Sequence, residues 1–181
     1  MRRRRKPRLF SFPYEVELSH YSGVIHSPSE REVLKRTLEA FIQICHCKRV
    51  TDETLAALVA AARHESPHLR GLGLLRLTVL CHYFGEAVDT LAVLAKDTDP
   101  ALRRFVAPML SNTPAGVAVP LVKRLLADED WSVRKAAALV GSGVYFEELM
   151  PVLSHRMARE EDARVRVVLQ LAVDFQRQGK A

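Results

Sequence analysis

Residues 130–141 read DWSVRKAAALVG, and the pattern that opens this stretch occurs five times in the chain. Each copy begins with Ser or Asp, whose side-chain oxygen can cap a helix N-terminus, and each has Arg four residues later. The copies begin at Ser27, Ser66, Asp99, Asp130 and Asp162. The last four starts are 33, 31 and 32 residues apart. A period of this length predicts stacked pairs of helices.

A second element separates the capped helices. It is a shorter apolar stretch with an early proline, clearest at 119–126 and 150–157, where Pro120 and Pro151 lie 31 residues apart. The combined unit resembles the HEAT repeat, and its short bacterial form resembles the phycobilisome-lyase type of HEAT-like repeat. The resemblance is strongest over 86–142, extends over 52–177 and is absent from 1–26. It implies an all-α fold, a right-handed superhelix whose concave face commonly binds a partner.

The helical periodicity predicts about nine helices within residues 27–177. A long helix over 28–46, with apolar residues on one face, is expected to cap the first repeat. Four helix pairs are expected to follow, at 52–63 with 67–83, 86–96 with 100–111, 117–127 with 131–142, and 146–158 with 163–177. Pro108 is expected to kink or shorten its helix.

The two ends of the chain do not fit the repeat. Residues 1–26 are predicted to form an arm, in which Phe10, Phe12 and Tyr14 alternate with small residues or proline. This alternation fits either an extended strand or a segment that lies over the first helices, with the aromatic side chains as pegs. Residues 178–181 are expected to be a polar tail.

The formal net charge of +6 is concentrated at one place. Six basic residues and no acidic residue occupy positions 2–8, and the rest of the chain carries 21 basic and 21 acidic residues. Attraction to a polyanion is therefore expected from this basic arm rather than from the whole domain. Together with the aromatic residues that follow it, the arm fits peripheral contact with an anionic membrane surface, contact with RNA, or a solvated tail. The arm is composed of Arg2, Arg3, Arg4, Arg5, Lys6 and Arg8.

The composition, 48% hydrophobic, is sufficient for a buried core. No stretch approaches the 18 consecutive apolar residues of a membrane span, and the basic N-terminus lacks the apolar segment of a signal peptide. These features predict a cytoplasmic protein.

The arginine four residues after each cap has two interpretations. A ladder of such arginines could bind an anion, whereas an arginine paired with an acid of the same or the neighbouring turn would tie the repeats together. The acids accompany the arginines in the sequence, which favours the ion pairs. The acids considered are Asp99, Asp128, Asp130 and Asp162.

The position five residues after each cap is expected to face the concave surface. This column is mixed, and its cations Arg104 and Lys135 lie in the middle of the chain. Trp131, the only tryptophan, opens a helix in the same section. It would be a contact anchor if exposed and ordinary packing if buried. Arg104, Trp131 and Lys135 are the predicted contacts for a protein partner.

Several Cys and His residues lie at the ends of two predicted helices. Cys45, Cys47, Cys81 and His82 could meet as a four-ligand zinc site if these ends lie side by side. Their spacing is not that of a zinc finger or ribbon, and free Cys is commonly buried without a ligand role. We therefore predict no metal and no other cofactor.

No catalytic motif is recognisable: the chain has no Gly-rich phosphate loop, no nucleophile elbow and no His-Glu-x-x-His. The first hypothesis is a non-enzymatic scaffold or adaptor that binds a protein. The second is a nucleic-acid-associated protein, and a weaker third is a lyase or chaperone for a cofactor-bearing protein. In the second, the arm acts together with central cations, which are Arg103, Arg104, Lys123, Arg124, Arg134 and Lys135.

Overall fold

The computed structural model describes residues 9–21 and 23–179, and over these residues all regular structure is helical. Ten α-helices and one short 3-10 helix are present there. The all-α prediction is confirmed. The expected number of nine helices is one too few, because a short helix precedes the predicted capping helix.

The chain divides into two compact units, residues 1–91 and 92–181. In the first unit the helices are α1 (Tyr14–Tyr21), α2 (Pro28–Cys47), α3 (Asp52–Ala62), α4 (Pro67–Leu80) and the start of α5 (Gly85–Leu94). In the second they are α6 (Pro100–Met109), α7 (Ala115–Leu125), α8 (Trp131–Gly143), α9 (Leu149–Met157) and α10 (Ala163–Gln178). The 3-10 helix, Leu110–Asn112, directly follows α6.

The additional helix, α1, packs onto the first unit. Its apolar side chains Tyr14, Leu18 and Tyr21 contact a buried cluster on α2, on α4 and in the loop that precedes α2. Glu17 is 3% exposed and pairs with Arg76 of α4. Residues of α1 therefore lie over the first helices, as one interpretation of the arm expected. Of the three aromatic residues that this interpretation treated as pegs, Tyr14 packs on the cluster, whereas Phe10 and Phe12 remain 54% and 49% exposed.

Side-chain caps are present at four of the five helix starts that the repeated pattern predicted. The side chains of Ser27, Asp99, Asp130 and Asp162 accept backbone N–H groups of the first turn, which have no partner within the helix. Ser66 makes no such bond, so the predicted cap is absent at α4. Its backbone N–H instead donates to His64 Nδ1 at 3.0 Å.

Pro108 stands one residue before the end of α6, and a 3-10 turn replaces the α-helix directly after Met109. A proline inside a helix removes one backbone hydrogen bond and crowds the preceding turn. The predicted shortening is confirmed, since the helix was expected to reach 111.

A close approach of α3 and α4 in the first unit depends on one glycine. A Cβ atom at Gly73 would lie 2.5 Å from the backbone N of Ala62 and 2.6 Å from the carbonyl O of Leu58. Backbone atoms cannot move to relieve such a clash, as the end of a flexible side chain can. Gly71, two residues earlier on the same helix, has no atom within 4 Å of such a Cβ.

We therefore expect Gly73→Ala to lower the free energy of unfolding by about 1–3 kcal/mol, the usual effect of overpacking. Gly71→Ala is the matched control, and it should raise that free energy by up to about 1 kcal/mol because alanine is the better helix former. Urea unfolding followed by circular dichroism measures both. Equal effects of the two substitutions would contradict this packing.

Candidate functional site

The repeated arginine closes the turn before its own helix. In four successive repeats its guanidinium donates to the backbone carbonyl six residues earlier, at distances of 2.6–3.1 Å. The pairs are Arg70 with His64, Arg103 with Asp97, Arg134 with Asp128, and Arg166 with Glu160. Four copies of the sequence pattern thus have one structural role in common.

In the second unit the same arginine also binds the following repeat. Arg103 donates from Nε and Nη2 to the two carboxylate oxygens of Asp128, both at 2.8 Å. Arg134 binds Glu160 in the same bidentate way, at 3.0 and 2.9 Å. Bidentate pairs of this kind fix orientation as well as distance. The structural interpretation of these arginines is confirmed.

The acids are divided between two tasks. Asp128 binds the arginine of the preceding repeat, as predicted, whereas Asp99, Asp130 and Asp162 cap their helices. The sequence analysis missed Glu160. Its signal was present, because an acid stands two residues before each of the last three caps. The side chain there accepts the backbone N–H of the cap residue.

We call the arginines and carboxylates that join successive repeats the ladder. Glu160 is its most buried acid, with 1% of its side chain exposed. It accepts hydrogen bonds from Arg134, from Arg156 and from the backbone N–H of Asp162. Burial opposes its ionisation, but the bonds from the two guanidinium groups outweigh burial and lower the pKa of this carboxyl from 4.5 to about 2.

These pairs bear on the predicted polyanion track. Arg103 is 8% exposed and, like Arg134, is bound to a carboxylate. Lys123 and Arg124 are exposed in the last turn of α7 and line an open pocket of about 830 Å³ together with Arg103. A fourth cation, Lys96, and three acids, Asp97, Asp128 and Glu129, line the same pocket. The pocket is thus of mixed charge.

The basic arm lies outside the described residues. Its cations are Arg2, Arg3, Arg4, Arg5, Lys6 and Arg8. The hypothesis that it binds a polyanion stays a prediction.

Three capped helices of the second unit lie side by side, since α8 packs against both α6 and α10. Helices α8 and α10 run in the same direction. Arg134 and Glu160 join them at their starts, and Gln176 joins them near their ends by donating to the carbonyls of Gly141 and Val144 at 2.7 and 2.6 Å. The pair of Arg103 and Asp128 aligns the starts of α6 and α8 in the same way.

This arrangement leaves one continuous exposed surface, which we call the three-helix face. It is made of the first, fifth and ninth residues after each cap, which share one side of a helix because they are four residues apart. All are exposed except Lys135, which is half-buried, and none is acidic. The members are Pro100, Arg104, Pro108, Trp131, Lys135, Leu139, Ala163, Val167 and Leu171.

The three-helix face is rich in exposed apolar side chains. Leu139, Leu171 and Val167 are 48%, 57% and 62% exposed, and Phe175, 36% exposed, extends the row one turn further along α10. The predicted contact residues Arg104, Trp131 and Lys135 all belong to this face. Leu139 and Leu171 were missed, because helical periodicity alone does not tell which side of a helix faces solvent.

Trp131 stands at the edge of the three-helix face and is 36% exposed. The guanidinium carbon of Arg164 lies 3.4 Å from the centre of its ring, a cation–π arrangement. Asp162 holds that guanidinium in place through two hydrogen bonds of 3.0 and 2.6 Å. The tryptophan is thus both packed and accessible, with a cation at its side.

The zinc candidates do not form a recognisable centre. Cys45 and Cys81 are buried, Cys47 is exposed, and His82 is half-buried. Burial raises the pKa of the Cys81 thiol to about 12, which opposes formation of a metal-binding thiolate. Within residues 9–21 and 23–179, no three His, Cys, Asp or Glu side chains are grouped as metal ligands.

Over the part of the chain that the structure describes, no helix combines the length and the apolar character needed to cross a membrane.

Glu160→Gln tests the stabilising role of the buried acid. Two guanidinium groups would lose their carboxylate, and breaking one side of a buried ion pair costs about 3–5 kcal/mol. We expect a loss of this size in the free energy of unfolding, measured by urea denaturation. Glu161→Gln, at the exposed neighbour, is the control and should change it by less than about 0.5 kcal/mol. A loss below about 1 kcal/mol for Glu160→Gln would contradict the assigned role.

The pKa of Glu160 also predicts how stability depends on pH. The carboxyl titrates near 2 in the folded chain and near 4.5 when unfolded, so its contribution is complete above about pH 4.5 and is lost as the pH falls toward 2. Thermal unfolding at successive pH values should show this decline, of about 3 kcal/mol, in the unmodified chain. Because the pKa values of Asp128 and Asp130 are lowered too, other carboxyls add to the decline. Glu160→Gln should remove the share of Glu160, about 3 kcal/mol, whereas Glu161→Gln should leave the decline intact. An unchanged decline in Glu160→Gln would rule this group out as the cause.

The comparisons with known proteins agree with this architecture. A family model described as HEAT repeats matches residues 55–139 and again residues 87–173. The match is to HEAT repeats as a class and does not single out the phycobilisome-lyase type, so the lyase or chaperone hypothesis stays a prediction. No curated protein sequence matches at a significant level. HEAT repeats commonly serve as scaffolds for protein interactions. Because the two matches span more than half of the chain, the protein belongs to the HEAT-repeat family.

Proposed function

We propose that this chain is a non-enzymatic interaction module that binds a protein partner on the three-helix face. The observation that carries the proposal is the exposure of Leu139, Val167 and Leu171, which are 48%, 62% and 57% exposed on neighbouring parallel helices. Scattered exposed apolar residues need no explanation, but a contiguous group marks an interaction site. The common use of HEAT repeats as interaction scaffolds supports the same conclusion.

The charge of the face defines the partner further. Arg104 and Lys135 contribute two cations to it and its nine residues include no acid, whereas Arg164 beside it is already paired with Asp162. Complementary charge steers association and suppresses wrong partners. We therefore expect the partner to present apolar side chains together with acidic ones.

A nucleic-acid partner is less well supported. A phosphate-tracking groove needs repeated cations that are available to phosphates. Arg103 and Arg134 already bind carboxylates, and Lys123 and Arg124 share their pocket with acids. This alternative therefore rests on residues 2–8 and on the two remaining central cations, Arg104 and Lys135.

Val167→Glu tests the proposed face, and Val93→Glu on α5 is its matched control, because the two valines are 62% and 60% exposed. The unmodified chain and Val93→Glu should capture the same proteins from a lysate of the source cells. We expect Val167→Glu to capture at least about tenfold less of these proteins. Quantitative mass spectrometry of the captured proteins measures this ratio. Both variants should keep the melting temperature of the unmodified chain, since surface substitutions change stability by about 0.5 kcal/mol or less. Equal capture by the two variants would contradict the proposal.

The nucleic-acid alternative has its own test. Fluorescence anisotropy with labelled RNA and DNA should show either no binding or weak binding that disappears on deletion of residues 1–8 and as salt rises. Tight binding that is lost with this deletion would move the function to the basic arm.

A further inference from the structure

We infer that the partner segment is an amphipathic α-helix that crosses α6, α8 and α10, with an apolar residue every two turns and acidic residues along one flank. This inference rests on the proposed function and specifies the kind of partner. It follows from the spacing of the side chains on the three-helix face and from the positions of the cations among them.

The spacing argument uses the ninth residue after each cap. Pro108, Leu139 and Leu171 occupy this position on the three helices, so they form a row that runs across the helix axes. Packed helices lie about 8–10 Å apart, which sets the distance from one member of the row to the next. Two turns of a helix advance about 10.5 Å and return a side chain to nearly the same side. A crossing helix therefore meets the row with residues i, i+7 and i+14.

An extended strand does not fit the same row. Side chains on one side of a strand recur about every 6.7 Å, so the second and fourth residues along lie about 7 and 13 Å away. Neither distance matches the separation of neighbouring helices. A strand would place one side chain on the row and the next between two helices.

The flank of the partner helix is set by the fifth residue after each cap, one turn away from the apolar row. This position is Arg104 on α6, Lys135 on α8 and Val167 on α10. Along this flank the partner helix is thus expected to carry acidic residues opposite α6 and α8 and an apolar residue opposite α10. The change from cation to valine gives the bound helix a defined direction.

The first unit contains a helix bound in the same chemical manner. Helix α1 places Tyr14, Leu18 and Tyr21 on a buried apolar cluster, with its acid Glu17 against Arg76. The guanidinium of Arg76 also lies 4.4 Å above the Phe41 ring. A short helix with an apolar side and a paired acid is therefore already accommodated on a helical surface of this protein.

The test is a selection of binding segments on the full chain. Two phage-displayed libraries of 20-residue segments are used, one held on a helical scaffold and one unstructured. The affinity of each selected segment is then measured by fluorescence anisotropy on the unmodified chain, on Leu171→Glu, on the double variant Arg104→Glu/Lys135→Glu, and on the control Val93→Glu. Circular dichroism and the melting temperature establish that all variants are folded.

We expect the helical library to supply the binders, with apolar residues seven apart and acids on one flank. Leu171→Glu and the double variant should each weaken their binding at least tenfold, and Val93→Glu less than twofold. Replacing the acids of a binder by lysine should restore its affinity for the double variant to within about threefold of the original pair.

The outcomes separate this inference from the proposed function. Binders that depend on the three-helix face but come only from the unstructured library, or that carry no acids, would contradict the helical partner. They would still support the three-helix face as an interaction surface. If neither library gives binders that depend on Leu171, both the inference and the proposed face are contradicted.

Discussion

The second unit depends on one set of interactions, the hydrogen bonds that the guanidinium group makes on the arginine four residues after the helix cap. In Arg103 and Arg134 it makes two kinds of bond at once, to a carbonyl six residues earlier and to the carboxylate of the next repeat. The first bond closes the turn within one repeat, and the second fixes where the next helix begins. A buried ion pair is weak grounds for net stability but a strong determinant of geometry when its bonds are bidentate. The ladder therefore sets the register of α6, α8 and α10.

The ladder also explains the composition of the surface. In the second unit Asp99, Asp130 and Asp162 are used as caps and Asp128 and Glu160 as partners of the arginines, and the nine residues of the three-helix face include no acid. Apolar residues and a few cations occupy those positions instead. Outside positions 2–8 the chain has 21 basic and 21 acidic residues, so its charge balances there while one face is apolar and cationic. The division of charge between turn and face is what makes the three-helix face a candidate site.

The sequence predicted the helices well because caps, prolines and a period near 32 residues all mark the same starts. It predicted that the repeated arginines pair with nearby acids, Asp128 among the candidates, because acids accompany these arginines, but it did not assign Asp128 to Arg103. It missed α1, since the alternation of Phe10, Phe12 and Tyr14 suggested a period of two, whereas the helix starts only at Tyr14. It also missed the direction in which Leu139 and Leu171 point. Periodicity identifies an apolar residue, but only tertiary packing decides whether a neighbour covers it.

Gly73 and Gln176 show the same limit at single residues. The Cβ position of Gly73 is blocked by backbone atoms of α3, and the buried amide of Gln176 donates to Gly141 and Val144 and accepts the backbone N–H of Phe146. Neither role has a local sequence signature, because the partners lie on other helices. The contacts of Gln176 follow from the packing of α8 against α10, which the pair of Arg134 and Glu160 holds in register, whereas Gly73 depends on the packing of α3 against α4 in the first unit.

A double-mutant cycle on Arg103 and Asp128 tests the ladder most directly. Arg103→Gln, Asp128→Asn and the combination would be compared by urea unfolding. If this guanidinium and carboxylate hold two repeats together, the double variant should lose less free energy of unfolding than the sum of the single losses. The difference should be about 2–3 kcal/mol, within the range of directly contacting residues. Additive losses, to within about 0.5 kcal/mol, would show that the pair does not couple the repeats and would contradict the account.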